Sequence, residues 1–219
     1  MIVDIHPIEV FGPWDKGFAL DKHIIDSVFI GQDPYGHDRF ESTRSDIGEL
    51  VYRLKYKNDY NCLDDIVDTI SDFINNYFTE ATKIESIIPV PPTKKRRFQP
   101  TIEIANELAK KQKVYCIDNA LVNLSDVEFK DLPDEEKRQL SGRIQCKKHA
   151  TRKHSILILD DIFKSGRTLE ECTTALRSDP NVNKIYVLAI TKTKNWDSII
   201  VYLIGGDTFD FHYYTTNAY

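Results

Sequence analysis

Apolar positions along this chain alternate between two rhythms. Ile47, Leu50, Val51 and Leu54 recur at helical spacing. Leu63, Ile66, Val67, Ile70, Phe73, Ile74 and Tyr77 do the same over 62–78, so two amphipathic helices stand in succession. Glu85-Ser86-Ile87-Ile88-Pro89-Val90-Pro91-Pro92 holds a short apolar run stopped by prolines, which reads as a buried strand. Pro100 opens a further helix carrying Ile104, Ala105, Leu108 and Ala109, and a short strand follows over 114–117. Ile156-Leu157-Ile158-Leu159 runs straight into Asp160-Asp161; after a loop, Leu169, Cys172, Ala175 and Leu176 return to helical spacing. Lys184 to Ile190 reads as another buried strand, and Ile199 to Ile204 as a last one before Gly205-Gly206. Unbroken apolar strands alternating with helices predict an α/β fold: a parallel sheet with right-handed crossovers, flanked by helices.

Two regions depart from this alternation. Residues 1–42 are rich in Gly, Pro, Asp and aromatics. There Phe11-Gly12-Pro13-Trp14-Asp15-Lys16-Gly17 predicts a hairpin or strand–turn–strand, and Ile24 to Ile30 a strand closed by Gly31 to Gly36. Thr43-Arg44-Ser45-Asp46 fits a capping box for the first helix. The pattern divides the chain into a hairpin and helical-pair extension over 1–82 and a core over 83–219. Residues 123–154 carry many charges and no clear buried strand; the segment is either functional or a solvated insertion.

Composition narrows the classes. The chain has 219 residues, 41% hydrophobic and 29% charged, with a formal net charge of −5. That suits one sizeable α/β unit and excludes a general polyanion binder; nucleic acid would need a local basic patch. Cys62, Cys116, Cys146 and Cys172 form no C-x-x-C pair, which argues against a zinc ribbon and fits a reducing, cytoplasmic setting. Met1 to Pro7 has no signal-peptide pattern, and no apolar run is long enough to span a membrane. The six histidines are scattered, and none is given a role.

Candidate chemistry concentrates at 160–168. A loop between a strand end and a helix start presents backbone N–H groups, and the helix dipole favours an anion there. Gly166 lets backbone approach that anion, and Ser165 and Thr168 add hydroxyls. Asp160 and Asp161 stand at the carboxyl end of the strand, where open α/β sheets bind ligands. Carboxylates accept hydrogen bonds from sugar hydroxyls, so a phosphate cradle beside a diol acceptor suits a ribose 5-phosphate. A receiver domain would place Asp-Asp near its start without the Ser-Gly-x-Thr, and no Walker A string occurs.

Asp160, Asp161, Ser165, Gly166 and Thr168 match the phosphoribosyl pyrophosphate (PRPP) motif of type I phosphoribosyltransferases. That motif is an apolar strand, two acidic residues and a loop ending in Thr/Ser-Gly-x-Thr. Lys164 and Arg167 stand where many members carry a small hydroxyl residue and Ala. Further strings resemble the ComF family in order: Leu54-Lys55-Tyr56-Lys57, then Pro89-Val90-Pro91 with a basic loop and Phe98-Gln99, then Gln139-Leu140-Ser141-Gly142-Arg143. The resemblance covers roughly 43–192. The four-cysteine module that opens many ComF-like proteins is missing from this sequence, which has the aromatic segment 1–42 and an aromatic tail instead.

The resemblance implies a type I phosphoribosyltransferase-like core that binds PRPP with Mg2+, the ion held mainly by the ligand's oxygens. Asp160 and Asp161 would hold the ribose hydroxyls. Lys164, Ser165, Gly166, Arg167 and Thr168 would hold the 5-phosphate. Pro89, Val90, Pro91, Lys94, Arg96 and Arg97 would face pyrophosphate, with Arg138 or Arg143 brought in by the 123–154 segment. Residues 1–42 would supply acceptor or partner specificity, cover the sheet or build a homodimer surface. The alternative is a catalytically silent nucleotide sensor, or an accessory protein whose basic loops bind nucleic acid or a partner protein, in DNA uptake or phage defence.

Overall fold

The computed structural model describes residues 1–93, 98–124 and 142–193, together with Pro133 and Glu135. Its centre is a six-stranded sheet. In chain order the strands are β1 (Ile8–Glu9), β2 (Lys16–Lys22), β5 (Ser86–Pro89), β6 (Tyr115–Cys116), β9 (His154–Phe163) and β10 (Val182–Lys192). They lie in the order β1-β2-β10-β9-β5-β6, and all pairs are parallel except β1 with β2. Two antiparallel ribbons stand apart: β3 (Ile24–Gln32) with β4 (Asp38–Arg44), and β7 (Leu121–Asn123) with β8 (Ile144–Cys146). The expected α/β class is therefore the observed one.

Helices cover both faces of the sheet, as buried parallel strands require. Alternation along β9 shows how the faces are divided. Leu157 and Leu159 join one apolar cluster, with side chains of α1 (Asp46–Tyr56), α2 (Cys62–Asn76) and α3 (Pro100–Gln112). Ile156 and Ile158 join the other, with Leu169, Cys172, Ala175 and Leu176 of α4 (Arg167–Arg177) and with Leu121 and Ile144 of the β7–β8 ribbon. The connection from β5 through α3 thus crosses one face, and that from β9 through α4 crosses the other. A crevice must open between β5 and β9 at their carboxyl ends, where the windings diverge.

Several expectations are refined. β2, from the N-terminal segment, is hydrogen-bonded to β10 inside the main sheet, with Phe18, Ala19 and Leu20 buried. The cap of α1 is Ser45, two residues beyond the Thr43 that the capping box predicts. Its hydroxyl accepts the Gly48 N–H at 3.1 Å and donates to the Lys22 carbonyl at 2.5 Å, so a contact with β2 selects it. Gly48 is dictated by the same junction, since a Cβ there would lie 2.6 Å from the His23 carbonyl oxygen. The charged segment after residue 123 contains a short strand, β8, with Ile144 buried against α4. The strand expected over 199–204 lies outside the described residues.

Candidate functional site

The crevice is a cleft of about 440 Å³, within the size range of small-molecule sites. Its walls come from Lys55 and Tyr56 on α1, Val90 to Thr93 after β5, Thr101 on α3, and the continuous stretch Asp160 to Leu169. The prolines explain why it opens there. Val90 N–H donates the last bond from this edge to the Leu159 carbonyl at 2.9 Å, and Pro91 and Pro92 have no N–H to continue the ladder. β9 runs on and, among the described residues, is paired there with β10 alone: Asp160 beside Ala189, Ile162 beside Thr191, Phe163 beside Lys192. The strand is therefore longer than its apolar run suggests, and the two acidic residues lie inside it rather than after it.

Gly166 caps α4 with φ at +80°, a region that β-carbon sterics deny most residues. A Cβ there would also stand 2.9 Å from the Phe163 ring, which is wedged edge-on against buried Trp14 at 6.5 Å between centroids. The first N–H groups of α4 lack intrahelical partners by helix geometry, and its dipole places positive charge at this end. Ser165, Thr168, Lys164 and Arg167 surround it and are exposed. The loop thus presents backbone N–H groups and two hydroxyls to the cleft, with two cations at its rim.

Asp160 and Asp161 are neighbours on a pleated strand, so they address opposite faces. Asp160 belongs to the α4 side. Burial, and then the adjacent Asp161 carboxylate, push its pKa up to about 7. Its Oδ1 accepts the Asp161 N–H at 2.8 Å. The nearby Cys172 thiol is pushed well above its usual range, by burial first and the charge of Asp160 second, which leaves it unreactive. Asp161 belongs to the α1 side, where its Oδ2 accepts a hydrogen bond from the Lys55 ammonium. Thr191 Oγ1 donates to the Asp161 carbonyl at 3.1 Å and lies 3.3 Å from His23 Nδ1. Burial, and then the charges of Arg44 and Lys55, lower the pKa of His23.

Of the sequence-predicted residues, Asp160, Asp161, Lys164, Ser165, Gly166, Arg167, Thr168, Val90 and Pro91 meet in this cleft. Pro89 is buried at the end of β5, directly behind it. Arg143 precedes β8, is exposed, and is not among the lining residues. Lys94, Arg96, Arg97 and Arg138 lie outside the described residues. The cleft also holds Lys55, Tyr56 and Thr101, to which the sequence alone assigns no site role, although Lys55-Tyr56 is part of the string that resembles ComF proteins. Among the described residues no group of three or more His, Cys, Asp or Glu could hold a metal ion. Two adjacent carboxylates suit Mg2+ only as supplementary ligands to an ion carried by a phosphorylated substrate. Also among the described residues, no helix is long and apolar enough to cross a membrane.

No protein-family model and no curated protein matches the chain. Among solved structures it is similar to an adenine phosphoribosyltransferase, at 11% identity and a TM-score of 0.45, over 77% of this chain and 85% of that one. It is similar to orotate phosphoribosyltransferase from Aeropyrum pernix at 11% identity and a TM-score of 0.43, over 78% and 76% of the two chains. Adenine phosphoribosyltransferase from Trypanosoma brucei, solved with AMP, pyrophosphate and ribose-5-phosphate, gives 12% identity and a TM-score of 0.45, over 86% and 75%. Overlaps this loose leave the chemistry to be decided by the residues of the cleft.

Proposed function

We propose that the chain is a type I phosphoribosyltransferase-like protein of ComF type. It binds PRPP or a ribose 5-phosphate nucleotide in this cleft and transfers the phosphoribosyl group to an acceptor. The observation that carries the reading is the convergence of an acidic pair and a glycine-dependent anion cradle on one small cleft at the sheet's winding switch. A ribose 5-phosphate needs both, an acceptor for its hydroxyls and a site for its phosphate. In the transfer, a lone pair of the acceptor forms the new bond to the ribose C1. The bond from C1 to the pyrophosphate oxygen breaks, and its electron pair leaves with pyrophosphate.

The transition state carries positive charge on the ribose and gathers negative charge on the leaving group, so fixed charges can lower the barrier without a strong nucleophile. Asp160 and Asp161 hold the 2- and 3-hydroxyls and favour the cationic sugar. Residues 164–168 hold the 5-phosphate. Val90 and Pro91, with Lys94, Arg96 and Arg97 beyond them, take the pyrophosphate side, and Arg143 is assigned to the same task. Mg2+ bound to PRPP would neutralise pyrophosphate charge. The setting proposed is the cytoplasm.

Calorimetry with PRPP and Mg2+ tests the binding step. Wild-type protein should bind, and the double change Asp160→Asn with Asp161→Asn should abolish binding while circular dichroism stays unchanged. An unaltered affinity would remove the central claim. Pyrophosphate release with candidate bases tests transfer. Arg97→Ala and Arg143→Ala should lower turnover more than PRPP affinity.

One observation favours a second reading, a ligand-binding accessory protein that works through a partner or as a homodimer. The β3–β4 ribbon carries Val28, Phe29, Ile30 and Phe40, each at least half exposed. A role on nucleic acid would show as oligonucleotide binding that falls steeply with salt and is weakened by the same two substitutions.

A further inference from the structure

We propose that Lys55 is a ligand-binding residue: its ammonium is the counter-ion that lets an anionic ligand approach the acidic pair. The proposal rests on the phosphoribosyl reading of the cleft. Lys55 sits in the last turn of α1 and reaches the sheet to hydrogen-bond Asp161 Oδ2. Its side chain is only 19% exposed, and that of Asp161 only 16%. Both line the same cleft as the phosphate loop.

The charges make the case. The described lining holds three cations, Lys55, Lys164 and Arg167, against the carboxylates Asp160 and Asp161. Lys164 and Arg167 are exposed on the loop rim, whereas Lys55 is covered and touches the acidic pair itself. A covered charge acts through a lower dielectric and is screened less by salt, so Lys55 dominates the field over the ribose position. Without it, the Asp161 carboxylate would face a multiply anionic ligand with no covered cation beside it among the described residues. An ammonium has three donors, and Asp161 takes one of them. The others can bridge to a phosphate oxygen of the ligand while Asp161 keeps acceptor sites for a ribose hydroxyl. α1 is placed to do this by its own packing: Ser45 ties its first turn to β2, and Leu54, next to Lys55, is buried in the core.

The competing account is a structural staple that fastens α1 to the sheet. Calorimetry with PRPP separates the two. Lys55→Met should weaken PRPP binding about ten-fold or more, and Lys55→Arg, which keeps the charge, should stay within about three-fold of wild type. Uncharged ribose, which the acidic pair does not repel, should show no such loss in the Met variant. A Met variant that binds PRPP as wild type does overturns the proposal and leaves the phosphoribosyl reading standing. Wild-type protein that binds no PRPP overturns both. Should the Met variant fail to fold, amine modification of the wild type read by mass spectrometry decides. PRPP should slow labelling of Lys55 relative to the nearby Lys57; an unchanged ratio overturns the proposal.

Discussion

Asp160→Asn should make the protein more stable at pH 8 and leave it nearly unchanged at pH 4. The folded protein raises the Asp160 pKa from 3.8 to about 7, chiefly through burial and then through the Asp161 charge. Between those values the unfolded chain has lost this proton and the folded chain keeps it. Stability therefore falls as pH rises from about 4 to about 7, and is level beyond. The gap corresponds to roughly 4 kcal/mol at most, at about 1.4 kcal/mol per pH unit. Because Asp160 still opens onto the cleft, solvent screens part of this, and about 2 kcal/mol is the expected gain. The Asn side chain removes the ionisation and keeps an oxygen to accept the Asp161 N–H. For a chain of this size the gain amounts to a rise in Tm of about 4–8 °C at pH 8. Urea unfolding and thermal melts of both proteins from pH 4 to 8 measure it. A Tm difference that does not change with pH, or a variant less stable at pH 8, would refute the account of a carboxyl held against its charge.

Gly166→Ala should destabilise the fold by about 1–2 kcal/mol, because the left-handed conformation and the Phe163 ring both oppose a Cβ. It should also weaken PRPP binding in calorimetry; unchanged affinity would mean that the loop backbone does not approach the ligand. Ser45→Ala should cost about 1 kcal/mol in urea unfolding through loss of the α1 cap. If α1 positions Lys55, it should weaken PRPP binding as well.

Much of this architecture is local in origin and could be read from spacing. The apolar run of β9, the proline stop of β5 and the helical periods of α1 to α4 each declare an element within ten or fifteen residues. Gly166 declares itself too, since only a loop needing positive φ or a close approach demands it. What could not be read depends on partners distant in sequence. β2 enters the sheet because its buried Phe18, Ala19 and Leu20 pair with β10, some 170 residues later. Of the aromatics in 1–42, Trp14 and Phe18 are buried, Trp14 edge-on against Phe163 and Phe18 among Phe73, Tyr77 and Phe78, while Phe11 and Phe29 are exposed. The basic end of α1 reads as a complement to the helix dipole, and only the packing of α1 on β2 and β10 turns Lys55 toward Asp161.

The pleat gives the acidic pair its asymmetry. Two carboxylates adjacent on a strand cannot share one environment, because one must face each layer of helices. Here one layer supplies α4 and the buried Cys172, and burial together with the Asp161 charge holds the Asp160 proton to near neutrality. The other supplies α1 and the Lys55 ammonium. A protonated Asp160 can donate a hydrogen bond as well as accept one, whereas a carboxylate paired with ammonium accepts. The two positions are therefore suited to unlike members of a diol, one hydroxyl accepting as the other donates. Exchanging the layers would reverse the roles. A sequence that shows only Asp-Asp does not say which residue faces which layer; the direction of the α4 crossover settles it, since α4 buries Cys172 against the even-numbered side of β9.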